Sequence, residues 1–411
     1  MTPTLESAQA LDAADPLAPY RARFALPPGV IYLDGNSLGP MPIEARTRIG
    51  QAVEREWAEG LIGSWNDADW IGAPERIGDK IAALVGATVG EVVVADSTSV
   101  NLYKLLVAAL RARPGRSVIL TETGNFPTDL YIAGGAAQAV PGAKVRAMPP
   151  DQVEAAIDPD TAVVMLTHVH YKSAVRRDML RITAAAHDAG ALVLWDLSHS
   201  AGAVEVGLYA CGADLAVGCG YKFLNGGPGA PAFLFVAKRL QAGLTSPLTG
   251  WMGHAAPFDF VDEFRPAEGV RRFLTGTPAV LGLAALEAGV DLALEVEVAA
   301  LEAKSARLWN FFSAAMQARL VDQEFELATP REAEARGSHI AYAHPHGYAI
   351  MQALIARGVV GDFREPDIMR FGLTPLYVGF EDVWRAVDTL AAVMAAEAWR
   401  ESPPRQPGRV T

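Results

Sequence analysis

Two short apolar runs, one ending in an acid and the other leading into a lysine, constrain this chain more than any other feature. The stretch 191–229 reads ALVLWDLSHSAGAVEVGLYACGADLAVGCGYKFLNGGPG. Ala191 to Trp195 is apolar and stops at Asp196. Leu215 to Val217 leads through Gly218, Cys219 and Gly220 into Tyr221 and Lys222. Apolar runs of this length between turn signals read as strands buried in a parallel sheet. Ligands of open α/β sheets bind at the carboxyl ends of such strands. The pattern therefore predicts an acid and a lysine at one sheet edge, 26 residues apart in sequence.

That pairing has a chemical use. A lysine amine forms a Schiff base with an aldehyde cofactor. A buried carboxylate holds a protonated pyridine nitrogen and keeps the ring electron-poor. Together they point to pyridoxal 5′-phosphate (PLP). The plainer alternative is that Asp196 caps the next helix and Lys222 is a surface charge.

At 411 residues, length suggests two or three domains. A formal net charge of −12 argues against nucleic acid and anionic membrane as main partners. The two cysteines, Cys211 and Cys219, cannot build a disulfide framework. No signal-peptide pattern opens the chain and no apolar run reaches membrane-span length, so a soluble cytoplasmic protein is expected.

Residues 1–28 read as an extended or loosely docked lead-in. A helical pattern covers 43–60, with Ile43, Ile49, Val53 and Trp57 on one face, and Pro74 opens a helix ending near Gly86. From residue 92, strands are expected at 92–95, 117–121, 144–148, 162–167, 191–195, 214–218 and 231–236. Helices are expected near 100–112, 127–138, 151–157 and 178–189. This alternation predicts an α/β fold with a mostly parallel seven-stranded sheet. Residues 278–318 read as one long or two abutting helices. A smaller α+β region follows, with strands 338–343, 359–363 and 367–373 and helices 347–357 and 381–399, and the tail 401–411 is expected to fray. The domain expectation is a large domain over 46–277, a small one over 278–411, and residues 1–45 joining the small one.

Several strings could carry chemistry. Asp96-Ser97-Thr98-Ser99 opens a helix after a strand, where free amides and hydroxyls make either a phosphate site or a plain N-cap. Asn125-Phe126-Pro127-Thr128-Asp129 offers a ring to stack on a cofactor, or a helix start capped by Asn125. Thr167-His168-Val169-His170 ends a strand; no third ligand has motif spacing, so no metal is expected. His199 follows Asp196 by three residues and reads as a carboxylate partner or a packing histidine. Thr277, before Pro278, reads as a helix cap. Arg370 lies in an apolar strand and needs an anionic partner, either a substrate carboxylate or an internal acid.

Taken together, YLDGNSLGP at 32–40, NFPTD at 125–129, WDLSHSAGA at 195–203, GCGYKFLNGGPG at 218–229 and GW at 250–251 resemble the kynureninase family. These are PLP-dependent hydrolases of fold type I, the aspartate-aminotransferase-like fold, and the likeness runs from about residue 30 to 395. The resemblance implies hydrolysis of L-kynurenine or 3-hydroxy-L-kynurenine, in tryptophan catabolism, to anthranilate or 3-hydroxyanthranilate and L-alanine. It implies that Lys222 forms the Schiff base and moves the Cα proton, that Asp196 pairs with the pyridine nitrogen and that Phe126 stacks on the ring. Thr98, Ser99, Asp129, Thr167, His199 and Tyr221 match cofactor-contacting positions, and Tyr221 is expected to relay protons. Trp251 and Thr277 match positions that reach the phosphate from a partner subunit, which implies a homodimer with shared sites. Arg370 matches the residue for the substrate carboxylate, Asn36 and Ser37 positions near the substrate entrance, and Trp65 part of an aromatic wall. Members of the family often carry asparagine where His170 stands and a Thr-Gly pair where Ser173-Ala174 stands. The alternatives are a cysteine desulfurase or another fold type I lyase, which needs an accessible thiol, and a PLP-binding protein without turnover.

Overall fold

A computed structural model describes residues 3–402; the expected fraying of the tail falls, from 403 on, outside the described residues. The chain divides into two compact units. One comprises 45–170 and 177–295, the other 1–44, 171–176 and 296–411. The helix Val280–Leu294 thus lies with the large unit, whereas the sequence reading placed everything after 277 in the small one. The six residues 171–176 go the other way.

In the large unit all seven expected strands form one sheet. Its order is Val92–Val94, Phe233–Val236, Leu215–Gly218, Leu192–Asp196, Thr161–Thr167, Val118–Glu122 and Lys144–Met148. Only Phe233–Val236 runs against its neighbours. Side chains alternate across the sheet, as the two-residue period of a strand requires. Val118, Leu120, Val164, Leu166, Val193 and Trp195 enter one apolar cluster. Ile119, Val163, Met165, Leu192, Leu194 and Val217 enter the other. The helices Ala73–Val85, Met179–Asp188 and Val280–Leu294 contribute to the first cluster, and Thr98–Arg111 and Pro127–Gln138 to the second. Both sheet faces are therefore covered, which is why the inner strands are mostly apolar, while the edge strand Lys144–Met148 carries Lys144 and Arg146 and is not buried.

Several local expectations need correction. The segment 151–157 forms only a single 3-10 turn, Glu154–Ala156. The helix after Pro278 begins at Val280 with Ala279 at its N-cap, so Thr277 precedes the cap. Helix 43–60 is α-helical over Ile43–Gln51 and then widens into a π-turn, Ala52–Trp57. The apolar stripe of that region faces outward: Ile43, Val53 and Trp57 are all exposed.

The small unit holds a four-stranded sheet, Asp362–Arg364, Ile368–Gly372, His339–Ala343 and Glu326–Leu327, with antiparallel pairing throughout. The expected strand 359–363 is two pieces. Val359–Val360 pairs in parallel with Ile31–Tyr32, and Asp362–Arg364 pairs with Ile368–Gly372. Gly361 separates them; a Cβ there would sit 2.7 Å from the Arg370 carbonyl oxygen. Ala174 is fully buried with φ +60°, in the left-handed region that favours glycine.

The first residues are not a loose lead-in. Leu5–Ala13 is a helix, capped by Thr4. Asp12 Oδ1 accepts from Phe380 N (2.7 Å) and Oδ2 from Glu381 N (2.9 Å), capping the helix Phe380–Ala395 from outside. Asp15 pairs with the buried Lys304 at 2.6 Å. Removing a helix cap of this kind costs about 1–2 kcal/mol. Asp12→Ala should therefore lower the unfolding free energy by about that amount in denaturant titration, with an unchanged m-value.

Candidate active site

The site is built on strand ends in the large unit. In the sheet register Thr167 is paired with Asp196, and both are the last residues of their strands. Asp196 is buried, and its Oδ1 accepts from Ser198 N (2.8 Å) and Ser198 Oγ (2.6 Å). The carboxylate thus satisfies itself locally instead of capping a long helix, since the residues after it form turns. Lys222 Nζ and His199 Nε2 are 2.9 Å apart. Lys222 follows a tight passage: a Cβ on Gly218 would lie 2.4 Å from the Phe233 ring, and one on Gly220 would lie 2.4 Å from the Pro231 carbonyl oxygen. Both glycines are there because nothing larger fits.

Asp129 is buried beside Asp196. Burial first, and then the Asp196 charge, raises its carboxyl well above the usual carboxylate range. Burial, with Cys219 and Asp196 adding to it, pushes the Tyr221 hydroxyl up. That phenol keeps its proton at neutral pH. The Lys222 ammonium lies 5.9 Å from the Tyr221 ring centre.

Phe126 is 42% exposed, leaving ring area for stacking. It is itself the N-cap residue of Pro127–Gln138; Asn125, expected as the cap, does something else. Asn125 Oδ1 accepts from Phe126 N (2.7 Å) and from Thr167 Oγ1 (2.6 Å). Sequence reasoning missed this role, although the residue stands inside a motif it singled out. It also missed Ser198. Thr98 and Ser99 occupy the first turn of Thr98–Arg111, with Ser97 as the cap accepting from Val100 N.

Trp65 and Trp251 are brought together, ring centres 6.0 Å apart, in a chain of aromatic contacts that runs on to Phe258 at 5.7 Å. Thr277 is exposed. His168 packs edge-on against Trp195, and His170 Nε2 lies 3.0 Å from the Gly124 carbonyl oxygen. No group of three His, Cys, Asp or Glu suited to a metal occurs among the described residues.

Arg370, Ser37 and Asn36 belong to the small unit. Arg370 is held bidentate by Asp362, with Nε 2.7 Å from Oδ1 and Nη2 on Oδ2. It also donates to the Tyr171 carbonyl and to Ser37 Oγ (3.0 Å). The internal acid of the plainer reading therefore exists. Ser37 Oγ in turn donates to Asp362 Oδ2 at 2.8 Å. Asn36 is fully enclosed rather than at a surface opening, and neither polar atom of its side chain has a protein hydrogen-bond partner.

The large-unit set fits a phosphate-bearing pyridine aldehyde. It offers an amine, an acid for the ring nitrogen, a ring face and hydroxyls at a long helix start. Asn125 Nδ2 and Asp129 Oδ2 are buried without a protein partner, and buried polar atoms need one.

Comparison with known proteins decides the family. A kynureninase C-terminal domain model matches residues 301–390, and a DegT/DnrJ/EryC1/StrS aminotransferase model matches 74–218. A kynureninase of Pseudomonas fluorescens is 50% identical over 399 residues, 96% of each chain. One of Burkholderia pseudomallei (strain 1106a) is 51% identical over 403 residues, 97% of each. This chain belongs to the kynureninase family. Its fold is type I: a cysteine desulfurase from Thermococcus onnurineus NA1 superimposes with a TM-score of 0.77 at 18% identity, covering 93% of this chain and 98% of that one. A C-DES variant with glycine covalently linked to its PLP cofactor gives 0.75 at 17%, covering 90% and 98%. At such identities these two structures show the fold alone, and the kynureninase relatives carry the family.

In this kynureninase-family chain one acid should leave a mark on stability. Burial and then the charge of Asp362 raise the Asp34 carboxyl from 3.8 to about 7, against the opposing pull of Ser37 and two arginines. Between those values the unfolded chain ionises and the folded one does not, so stability falls as pH rises across that window and the loss is complete above it. Asp34→Asn should flatten the decline in melting temperature between pH 5 and pH 8; an unchanged slope would assign the decline elsewhere.

Proposed function

We propose that this chain uses PLP to hydrolyse L-kynurenine to anthranilate and L-alanine, with 3-hydroxy-L-kynurenine as the alternative substrate. The bond cut is carbon–carbon, next to a ketone. The reading rests on one observation: Lys222, Asp196, Asp129, Thr167 and His199 gather in one unit at the sheet edge of a chain half identical to named kynureninases.

When bound, the cofactor supplies an electron sink conjugated with the substrate Cα. The protein supplies position and proton control. Lys222 Nζ takes and returns the Cα proton, and His199, 2.9 Å away, fixes where that amine points. Asp196, oriented by Ser198, keeps the ring nitrogen protonated. Tyr221, with a hydroxyl that burial keeps protonated, donates to the substrate as the carbon–carbon bond breaks. Arg370 is the residue for the substrate carboxylate, with Ser37 and Asn36 beside it in the small unit, and Trp65 is part of the aromatic wall. Thr98 and Ser99 take the cofactor phosphate, joined by Trp251 and Thr277 of a second copy. The exposed apolar side chains Trp57, Leu61, Ile62, Phe258 and Phe260 of the large unit support a homodimer. The setting is cytoplasmic tryptophan catabolism.

The desulfurase alternative needs a reactive thiol. Cys211 and Cys219 are both buried, and burial pushes both thiols up, away from the reactive thiolate form. The non-catalytic alternative is separated by turnover.

Purified protein reconstituted with PLP should release fluorescent anthranilate from L-kynurenine, and Lys222→Ala should release none while still binding the cofactor. Cofactor binding without anthranilate in the wild type would reject the substrate and leave the fold standing. Tyr221→Phe should lower kcat about 100-fold with PLP affinity retained, in line with the usual worth of a positioned proton donor. Full turnover would remove Tyr221 from the proton path.

A further inference from the structure

A buried lysine outside the residues above ties the cofactor-phosphate segments together. Lys104 is buried in the helix Thr98–Arg111, and its side chain is 0% exposed. Its Nζ donates to Asp96 Oδ2 (2.8 Å) and to the Phe273 carbonyl oxygen (2.7 Å).

Each partner belongs to a segment with a stake in phosphate binding. Asp96 stands at the turn into the helix that begins with Thr98 and Ser99, and its φ of +47° is a left-handed value that needs support. Phe273 precedes Thr275, Gly276 and Thr277. Thr275 Oγ1 lies 3.5 Å from Asp96 Oδ2, and the Thr275 carbonyl accepts from Met252 N (3.2 Å), next to Trp251. Asp96 and Thr275–Ala279 line one cavity of about 240 Å³. One amine thus joins the turn before Thr98 and Ser99 to the segment that leads into Thr277.

Stability alone gives no reason for a charge here. Burying an ion pair is commonly matched or bettered by apolar residues of the same size. Loop geometry does give a reason: without Lys104 the Asp96 turn and the 273–277 segment would lose their shared anchor.

From this geometry we infer that Lys104 is a positioning residue for the cofactor phosphate, holding the Asp96 turn and the 273–277 segment in their phosphate-binding arrangement. The inference rests on the placement of the phosphate at Thr98 and Ser99 proposed above.

The test compares PLP with pyridoxal, which lacks the phosphate. The cofactor-free protein is titrated with each, followed by the visible absorbance that accompanies binding. Lys104→Met should weaken PLP about tenfold or more, the usual cost of removing one partner of a buried charge pair, and leave pyridoxal within about twofold. A structural lesion would weaken both alike; that result, or no loss of PLP affinity, overturns the inference. Asp96→Gly, which the left-handed backbone tolerates, should show the same selective loss and answers the question if Lys104→Met does not fold. The double variant Thr98→Ala/Ser99→Ala is the control. If it does not weaken PLP selectively, the phosphate placement fails, and that failure is distinct from a negative result at Lys104 alone.

Discussion

A carboxylate shut away from water has to be fed hydrogen bonds, and the arrangement around Asp196 follows from that need. Two come from Ser198, two residues further on, so the chain must turn at once after the strand. The sheet register sets Thr167 opposite, and Asp129 lies alongside, its carboxyl raised first by burial and then by the Asp196 charge. Both acids are buried, so each depends on the few polar groups within reach.

A second network carries the same logic outward. Asn125 connects the Thr167 hydroxyl to the amide of Phe126, so a polar strand end and an aromatic face move as one piece. Lys222 arrives through Gly218 and Gly220, where neighbouring atoms leave no room for a side chain. Rigidity at the amine is thus purchased with glycine, through packing against Phe233 and Pro231.

The sheet was readable from the sequence because its strands are buried on both faces. The inner runs are mostly apolar and bounded by turn residues, and only the edge run 144–148, with Lys144 and Arg146, departs from this. Asp196 and Thr167 were readable because a polar residue that ends such a run has one natural place to be, and Lys222 because only a short glycine-rich passage separates it from the run before it. Other features depend on neighbours distant in sequence. The helix Leu5–Ala13 has a weak apolar face, and what holds the region in place, Asp12 on Phe380 and Asp15 on Lys304, lies hundreds of residues away. The run 359–363 looks like one strand, yet Gly361 lets it serve two sheets. Thr277 before Pro278 has the pattern of a cap, but the helix starts at Val280, with Ala279 as its N-cap. Lys104 reads as an ordinary helix lysine until Phe273 is seen to lie against it.

The capping of Phe380–Ala395 by Asp12 bears on how such chains can be rearranged. The stretch 301–390 is recognisable as a domain by comparison, yet the unit containing it is completed by the first 44 residues. The strand Ile31–Tyr32 pairs with Val359–Val360, and Lys304 finds its acid in Asp15. A recombination event that moved the C-terminal part alone would carry a buried lysine without its counter-charge and a helix without its cap. Residues 3–44 and 296–402 are thus bound to a common inheritance, and a change in the first segment acts on the second as directly as one placed there.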